Sequence, residues 1–447
     1  MKNTSKRPSG MFAFTLVWLG QIVSVLASGM TTFAFTIYMY QQTHSATAMG
    51  FVQVAYITPF LIMSPIAGVM VDRYDRKVMM MVSDIAGGLA SLIMLILFAT
   101  GHLQFWHLYV ASVIKGLGTT FQWPAYSAAI STMLSKEQYG RANGMMSLVE
   151  AGPGVFAPFM AGALLPFIGV SGILLADAIT FAIAILALLA VYIPAPVRSA
   201  VGQEAKGNML REAAFGFKYI FARPSLLGLQ MIFFFGNLFS GIGFTVLAPM
   251  VLARSAQSSV ALGSVESAGA IAGVVGGVLM SAWGGFKRRV HGVLFGWIIS
   301  GIGMAIVGFS GGLSIWIIGI AVSSIVGALV NGSNQAIWQA KVATDLQGRV
   351  FSSRRLIAWI TNPISPIIGG TLADYVLEPA ARAGTGLPAA FAWLVGTGVG
   401  SGMGLLIVIC GTLSMLIGLA GYFVPTIYNA EGLLPDHDDA IGQVEPT

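Results

Sequence analysis

Long apolar runs recur along the whole chain, and they restrict its possible folds more than any other feature. The first run extends from Met11 to Tyr40 without a charged residue. A helix needs about 20 mostly apolar residues to cross a bilayer. Of the 447 residues, 56% are hydrophobic and only 9% are charged, which excludes a soluble globular domain. The chain is therefore predicted to be an all-α membrane protein.

The apolar runs predict twelve transmembrane helices, separated by charged or turn-forming residues. They cover residues 12–40, 48–71, 78–100, 105–133, 142–168, 171–193, 226–252, 260–284, 290–310, 313–340, 350–376 and 399–424. The charged stretch after the sixth run has apolar residues at helical spacing, which is typical of an amphipathic helix on the membrane surface. Four parts are therefore predicted: an N-terminal six-helix bundle (1–193), a cytoplasmic linker with an amphipathic helix (194–224), a C-terminal six-helix bundle (225–424) and a cytoplasmic tail (425–447).

Lys and Arg residues are concentrated in alternate loops. Of the 23 Lys and Arg residues, all but three lie at the N-terminus, in the loops that follow even-numbered spans, or at the span ends next to these loops. The exceptions are Lys115, Arg254 and Arg382. Cytoplasmic loops carry an excess of Lys and Arg, so both termini are predicted to be cytoplasmic. Because topology explains the formal net charge of +6, no nucleic-acid partner is expected.

The two halves of the chain resemble each other at an offset of 208 or 209 residues. The matching pairs are residues 34–38 with 243–247, 68–70 with 277–279, and 136–141 with 344–349. An internal duplication is typical of secondary transporters, whose substrate site lies near mid-membrane between the repeats. We therefore expect two pseudo-symmetric bundles that rock about such a site.

The loop after the second span carries the most specific motif in the sequence. It reads Gly68-Val-Met-Val-Asp72-Arg73-Tyr-Asp75-Arg76-Lys77. This motif resembles the G-x-L-A-D-R-x-G-R-K loop of the major facilitator superfamily, with Asp75 where Gly is usual. The resemblance implies a conformational latch formed by Gly68, Asp72, Arg73, Arg76 and Lys77, and the alternative is a solvated loop that only sets topology. In the equivalent loop of the second half Ser281 replaces the Asp, so only the first copy is expected to form the full charge cluster.

Three further stretches, residues 176–181, 369–379 and 432–436, resemble the bacterial macrolide-efflux type of this superfamily. The resemblance implies a proton-driven exporter of bulky amphiphiles in the inner membrane of a bacterium. We expect a small amphiphilic substrate, protons and the lipid bilayer as partners, a monomer, and no cofactor. The antiporter motif of the fifth span is only partly met, by residues 152–154. Two alternatives stay open: a facilitator for a lipid or siderophore-like product, and the membrane subunit of an ATP-driven assembly.

Polar side chains recur on one face of the first, fourth and tenth predicted spans. Such stripes indicate a hydrated substrate cavity, and an alternative is that these residues hold neighbouring helices together by hydrogen bonds. The residues predicted to line the cavity are Gln21, Gln122, Tyr126, Asn331, Asn334, Gln335 and Trp338.

Charged residues inside predicted spans are candidates for proton coupling, because an ionisable side chain at membrane depth is costly unless it is paired or hydrated. Lys115 and Glu150 lie at similar depth on consecutive spans. We predict an ion pair between them that opens when a proton or a cationic substrate arrives; a static pair and the absence of contact are the alternatives. Glu266 is a second candidate. Asp84 and Asp177 lie on spans that the family places at the periphery, so structural roles are expected for them.

No enzymatic chemistry is predicted. The sequence has no phosphate-binding loop, and its five His residues lie in loops or at span ends without a nucleophile nearby. Cys410 is the only cysteine, which excludes an intramolecular disulfide and leaves no cysteine cluster for a metal. Neither a metal nor a cofactor is expected.

Overall fold

The structure, a computed structural model, describes residues 8–134, 138–194, 216–342 and 346–433. Within the helices, the side chains of some residues also lie outside the described part, among them those of Asp72, Arg73 and Glu150, and the surroundings of Gly68 are not described either. The predicted amphipathic helix of the linker covers residues 210–221. Its first half, residues 210–215, lies outside the described residues, and residues 216–221 are helical.

Five long helices form the first half of the chain. They are α1 (Gly10–Thr43), α2 (Ala46–Arg73), α3 (Arg76–Ala99), α4 (Phe105–Met133) and α5 (Tyr139–Ala190). The last is interrupted at Gly169, whose φ of 65° and ψ of −177° are accessible mainly to glycine. This break divides α5 into two arms that correspond to the fifth and sixth predicted spans.

The second half contains more and shorter helices. They are α6 (Pro224–Thr245), α7 (Leu247–Arg254), α8 (Ser259–Trp283), α9 (Arg289–Val307), α10 (Leu313–Ile325), α11 (Gly327–Lys341), α12 (Gln347–Trp359), α13 (Thr361–Leu372), a π-helical turn (Ala373–Leu377), α14 (Glu378–Ala383), α15 (Gly386–Ala390), α16 (Ala392–Val395), α17 (Ser401–Phe423), α18 (Pro425–Tyr428) and α19 (Ala430–Leu433). Several predicted spans are thus built from consecutive helices, such as α10 and α11 in the tenth span.

The helices agree with a membrane-spanning protein. Within the described residues, ten stretches are long and apolar enough to cross a bilayer, and the two arms of α5 fall in one of them. The 29-residue helix α4, which carries Lys115 and Gln122, is not among the ten. Large apolar side chains such as Ile93, Phe156 and Leu186 are exposed, as expected for surfaces that face lipid. The all-α membrane fold is therefore confirmed, and its helices are consistent with twelve spans.

The chain divides into two compact units. The first unit comprises residues 1–202 with 257–267, and the second comprises 203–256 with 268–447. The start of α8 packs with the first unit, whereas the boundary predicted from the sequence lies in the linker. Ser259 Oγ donates a hydrogen bond to the carbonyl of Gly162 at 3.1 Å, and a Cβ built on Gly263 would lie only 2.5 Å from the carbonyl oxygen of Pro158. Close backbone contact through small residues explains the grouping.

Each unit has its own apolar core. In the first unit, the core includes Phe14, Met80 and Tyr126. In the second unit, α9 and α17 approach closely, because a Cβ on Gly301 would lie 2.4 Å from the backbone nitrogen of Met415. The predicted cytoplasmic tail begins with two helical turns, α18 and α19, while residues 434–447 lie outside the described residues.

Candidate functional site

A buried carboxylate joins α1, α3 and α4 inside the first unit. Asp84 of α3 is fully buried. Its Oδ2 accepts a hydrogen bond from Gln21 Nε2 at 2.8 Å, and its Oδ1 accepts one from Gln122 Nε2 at 2.6 Å. Gln122 Nε2 also lies 2.5 Å from Gln21 Oε1. Two glutamines that were predicted to line the substrate cavity thus bind a carboxylate in the interior of their own unit. We call these three residues the Asp84 cluster.

A second carboxylate is held by three donors from three helices. Asp177, on the second arm of α5, is fully buried. Its Oδ1 accepts a hydrogen bond from Ser28 Oγ at 2.8 Å. Its Oδ2 accepts from Ser91 Oγ at 2.7 Å and from Lys115 Nζ at 3.0 Å. Because one donor is an ammonium group, the charge of this carboxylate is compensated. We call these four residues the Asp177 cluster.

The ion pair of Lys115 differs from the predicted one. Lys115 binds Asp177 in the structure, whereas Glu150 was the predicted partner. The side chain of Glu150 lies outside the described residues, so its part in coupling stays a prediction. Structural roles were expected for Asp84 and Asp177, and in the structure both meet the polar faces of α1 and α4. The sequence did contain a signal for them, since an acid within a span is a functional candidate by default.

The two clusters lie two helical turns apart. On each of three helices, the two cluster residues are separated by seven positions; the pairs are Gln21 and Ser28, Asp84 and Ser91, and Lys115 and Gln122. Seven residues make nearly two turns, so each pair shares a helix face at a separation of about 10 Å. The first unit therefore contains two polar levels: amides surround Asp84 at one level, and hydroxyls with an ammonium surround Asp177 at the other.

An apolar layer adjoins the Asp84 cluster. Tyr126 lies one turn from Gln122 and stacks on Phe14, with ring centroids 5.9 Å apart. Both rings and Met80, one turn from Asp84, are buried in the core of the first unit. The Tyr126 hydroxyl has no hydrogen-bond partner among the described residues. The side chain predicted to line the cavity thus lies in a closely packed layer next to a buried carboxylate.

The polar residues predicted to form one stripe on the tenth span lie in two environments: two are buried, and two are exposed or half-buried. Asn334 and Trp338 are buried, and Trp338 Nε1 donates to Asn334 Oδ1 at 3.0 Å. Gln335 Oε1 accepts from Arg354 Nη1 at 2.9 Å. Asn331 is exposed and donates to a backbone carbonyl one turn earlier. Asn331 and the half-buried Gln335 are therefore the members of this stripe that stay candidates for cavity lining.

Glu266 lies on α8, in the segment that packs with the first unit. Among the described residues it has no hydrogen-bond or ion-pair partner. The adjacent Ser267 Oγ donates to the carbonyl of Val155 on the first arm of α5 at 3.1 Å. A half-buried acid thus adjoins a closely packed helix pair, and its role in coupling stays a prediction.

The latch motif is described in part. The side chains of Asp72 and Arg73 and the surroundings of Gly68 lie outside the described residues, so the latch stays a prediction. Asp75 Oδ1 accepts from the backbone N–H groups of Lys77 at 2.8 Å and Val78 at 3.4 Å, and thereby caps α3. Lys77 Nζ donates to the carbonyl of Val191 at 2.7 Å, just after α5. Asp75, the residue that departs from the family motif, therefore caps the start of α3, and Lys77 connects the loop to the end of α5.

In the second half, the loop that corresponds to the latch motif has Ser281 in place of the acid. The C-terminal segment provides an acidic residue at this loop. Glu431 of α19 accepts hydrogen bonds from the backbone N–H groups of Arg289 at 3.2 Å and Val290 at 3.1 Å. These groups belong to the first turn of α9. Lys341 Nζ donates to the Glu431 carbonyl oxygen. The start of the predicted tail is thus attached to the second unit by a charged helix cap.

Two charged residues bind helix ends elsewhere in the second unit. The buried Glu378 accepts from the backbone N–H groups of Gly400 at 3.1 Å and Met403 at 3.0 Å, where α17 begins. Arg254 donates to two carbonyl oxygens after α9, each at 3.4 Å. In the sequence, Arg254 is only an exception to the charge pattern, because a helix-end contact depends on which loop lies beside the residue.

Comparison with known proteins identifies the family. The model of the Major Facilitator Superfamily matches residues 17–366. Macrolide efflux protein A of Streptococcus pyogenes is 24% identical over 368 residues, which are 81% of this chain and 90% of that protein. The multidrug efflux pump Tap of Mycolicibacterium fortuitum is 25% identical over 389 residues, which are 84% of this chain and 91% of that pump.

A solved structure shows the same fold. A bacterial homologue of the human lysosomal transporter Spinster, in an inward-facing and unoccupied conformation, aligns with a TM-score of 0.66. The alignment covers 95% of this chain and 96% of that protein, at 14% sequence identity. At this identity the likeness concerns the fold alone.

Proposed function

The chain belongs to the Major Facilitator Superfamily, and on that premise we propose that it exports small amphiphilic molecules, macrolides among them, in exchange for protons. The family is one of membrane transporters, so the chain is a multi-pass transporter and not an enzyme. The substrate class is supported by the two efflux relatives, of which the alignments cover 90% and 91%. A monomer in the inner membrane, with both termini cytoplasmic, is part of the proposal.

The observation that supports the proposal of proton coupling is the number of carboxylates within the membrane-spanning helices of one unit. Asp84 and Asp177 are fully buried, and Glu266 has no partner among the described residues. An acid at this depth is costly, and apolar packing would serve a static scaffold better. A proton carrier, in contrast, needs a carboxylate that water does not solvate freely. From the sequence, Glu150 with Lys115, and Glu266, are the candidates for coupling.

Alternating access would be controlled by the latch residues Gly68 to Lys77. Asp72→Asn should leave the protein inserted and folded, but should slow transport by changing the balance between inward- and outward-open states. Asp75→Asn is the matched control, because an amide still caps α3. Equal flux in Asp72→Asn and Asp75→Asn at matched expression would reduce the motif to a topology signal.

Proteoliposomes test the energy source directly. Purified protein is reconstituted, a pH gradient is imposed, and accumulation of radiolabelled erythromycin is followed with and without a protonophore. We expect accumulation that needs the gradient and stops when the protonophore is added. Accumulation that needs ATP and survives the protonophore would instead identify the membrane subunit of an ATP-driven assembly. A parallel panel with a phospholipid and a catecholate siderophore tests the substrate class, since preferential transport of either would contradict drug export.

A further inference from the structure

The two buried carboxylates differ in what compensates their charge. Asp177 is paired with Lys115, so its level of the first unit is neutral when both groups are ionised. Asp84 is bound by two amides, and no cation contacts it among the described residues. Ionised Asp84 therefore adds a net negative charge to the interior of a membrane unit. A positive charge that binds there removes this cost.

We propose that Asp84, held between Gln21 and Gln122, is the site that binds the coupling proton. This inference rests on the proposed function, because it names the carboxylate that performs the proton exchange. Lys115 and Asp177 are then positioning residues that hold α4 against the second arm of α5.

Hydrogen-bond chemistry distinguishes the two sites. A side-chain amide has two N–H donors and a carbonyl acceptor, so either glutamine can bind an ionised carboxylate or, after rotation of the amide, a protonated one. An ammonium group has donors only. A proton on Asp177 would therefore leave Lys115 without a counter-charge, whereas a proton on Asp84 leaves no charge unpaired. The Asp84 cluster accommodates both protonation states, and the Asp177 cluster accommodates one.

Among the described groups around Asp84, it is the carboxylate whose protonation changes the charge of this region. α1 contains no charged residue. At membrane depth, the described charged residues on α4 and the second arm of α5 are Lys115 and Asp177, which neutralise each other about 10 Å away. Tyr126 lies one turn from Gln122 and contributes a hydroxyl group. Glu150, on the first arm of α5, has a side chain outside the described residues.

The apolar layer explains how proton exchange is controlled. Phe14, Met80 and Tyr126 pack beside the Asp84 cluster, on the side toward the start of α3. Water does not wet a closely packed apolar layer, so Asp84 exchanges protons with that side only when the layer moves. The Tyr126 hydroxyl, which lacks a partner among the described residues, is placed to bind water when the layer opens.

Asp84→Asn in proteoliposomes is the principal test. Asparagine is isosteric and cannot release a proton, so gradient-driven accumulation of erythromycin should be lost. Exchange of labelled for unlabelled erythromycin, which needs no net proton movement, should be retained, and Asp84→Glu should restore part of the accumulation. Ser83→Ala is the matched control, because Ser83 is the buried neighbour whose hydroxyl, among the described residues, bonds only its own helix. It should behave as the wild type.

Proton release provides a readout that a purely structural role would not change. Addition of erythromycin to solubilised wild-type protein should release protons to a pH indicator, and Asp84→Asn should release none. If Asp84→Asn does not fold, Gln122→Met serves instead: loss of a donor to the ionised form should move the midpoint of proton release to higher pH. An unchanged midpoint would overturn the inference.

The outcomes separate this inference from the proposed function. Wild-type accumulation that stops with a protonophore, together with undiminished accumulation and proton release in Asp84→Asn, would show that another acid carries the proton. Wild-type accumulation that ignores the gradient would refute proton coupling itself. Loss of both accumulation and exchange in well-folded Asp84→Asn would make Asp84 a structural residue and would also overturn the inference.

Discussion

The ion pair between Lys115 and Asp177 allows a quantitative test of how the first unit is held together. Loss of one partner from a buried pair costs about 3–5 kcal/mol, because the other charge is left uncompensated. The two partners differ in exposure, since the Asp177 side chain is fully buried and that of Lys115 is 14% exposed. Lys115→Met strands a carboxylate that cannot reach water, so its cost should lie near the upper end of this range. Asp177→Asn leaves an ammonium on a flexible chain that can turn toward water, so its cost should lie near the lower end.

The double variant measures the interaction itself. Lys115→Met combined with Asp177→Asn leaves no charge unpaired, and Ser28 and Ser91 can still bind the asparagine. The double change should therefore cost about 2–3 kcal/mol less than the sum of the single changes. The measurement is the free energy of unfolding in mixed micelles, followed by tryptophan fluorescence during a titration with SDS.

Lys77→Met is the matched control for this cycle. Lys77 donates to backbone carbonyls at the end of α5 and not to Asp177. Its combination with Asp177→Asn should be additive within about 0.5 kcal/mol. Additive costs for Lys115→Met and Asp177→Asn would refute the ion pair as a stabilising contact. A larger cost for Asp177→Asn than for Lys115→Met would refute the argument from exposure.

Three further expectations concern the second unit and the topology. Glu378→Gln should lower the free energy of unfolding by about 1–2 kcal/mol, because an amide replaces a charged acceptor at the start of α17; an unchanged thermal unfolding curve would contradict this role. Glu431→Ala should cost about 0.5–2 kcal/mol through loss of the cap on α9, and should speed proteolysis after α17, whereas Glu431→Asp should cost less. Cysteines placed at Ser45 and Gly384 should react with an impermeant maleimide in intact cells, and one at Gln203 only after permeabilisation; labelling of Gln203 in intact cells would reverse the predicted orientation.

Several properties of this protein followed from the sequence alone because they depend on short stretches of chain. Transfer of a helix into a bilayer is a sum over about 20 consecutive residues, so the positions of the spans could be predicted without knowledge of neighbouring helices. The loop motif from Gly68 to Lys77 and the partial repeat of the two halves indicated the superfamily, which the family model confirms. The break at Gly169 also falls where the sequence separates the fifth and sixth spans.

The partners of the buried charges were decided by tertiary structure. The sequence places a residue at a depth, because each residue adds 1.5 Å to a helix, but it does not state which helix face lies against which neighbour. Lys115 was therefore assigned an acid at similar depth on the next span, while the structure pairs it with Asp177 on the second arm of α5. Asp84 meets Gln21 and Gln122 for the same reason: the rotation and packing of α1, α3 and α4 bring together side chains that are far apart in sequence. Hydrophobic burial in lipid is a local property of the chain, whereas an ion pair or a buried hydrogen bond requires two surfaces to be aligned, and only the packed unit supplies that alignment.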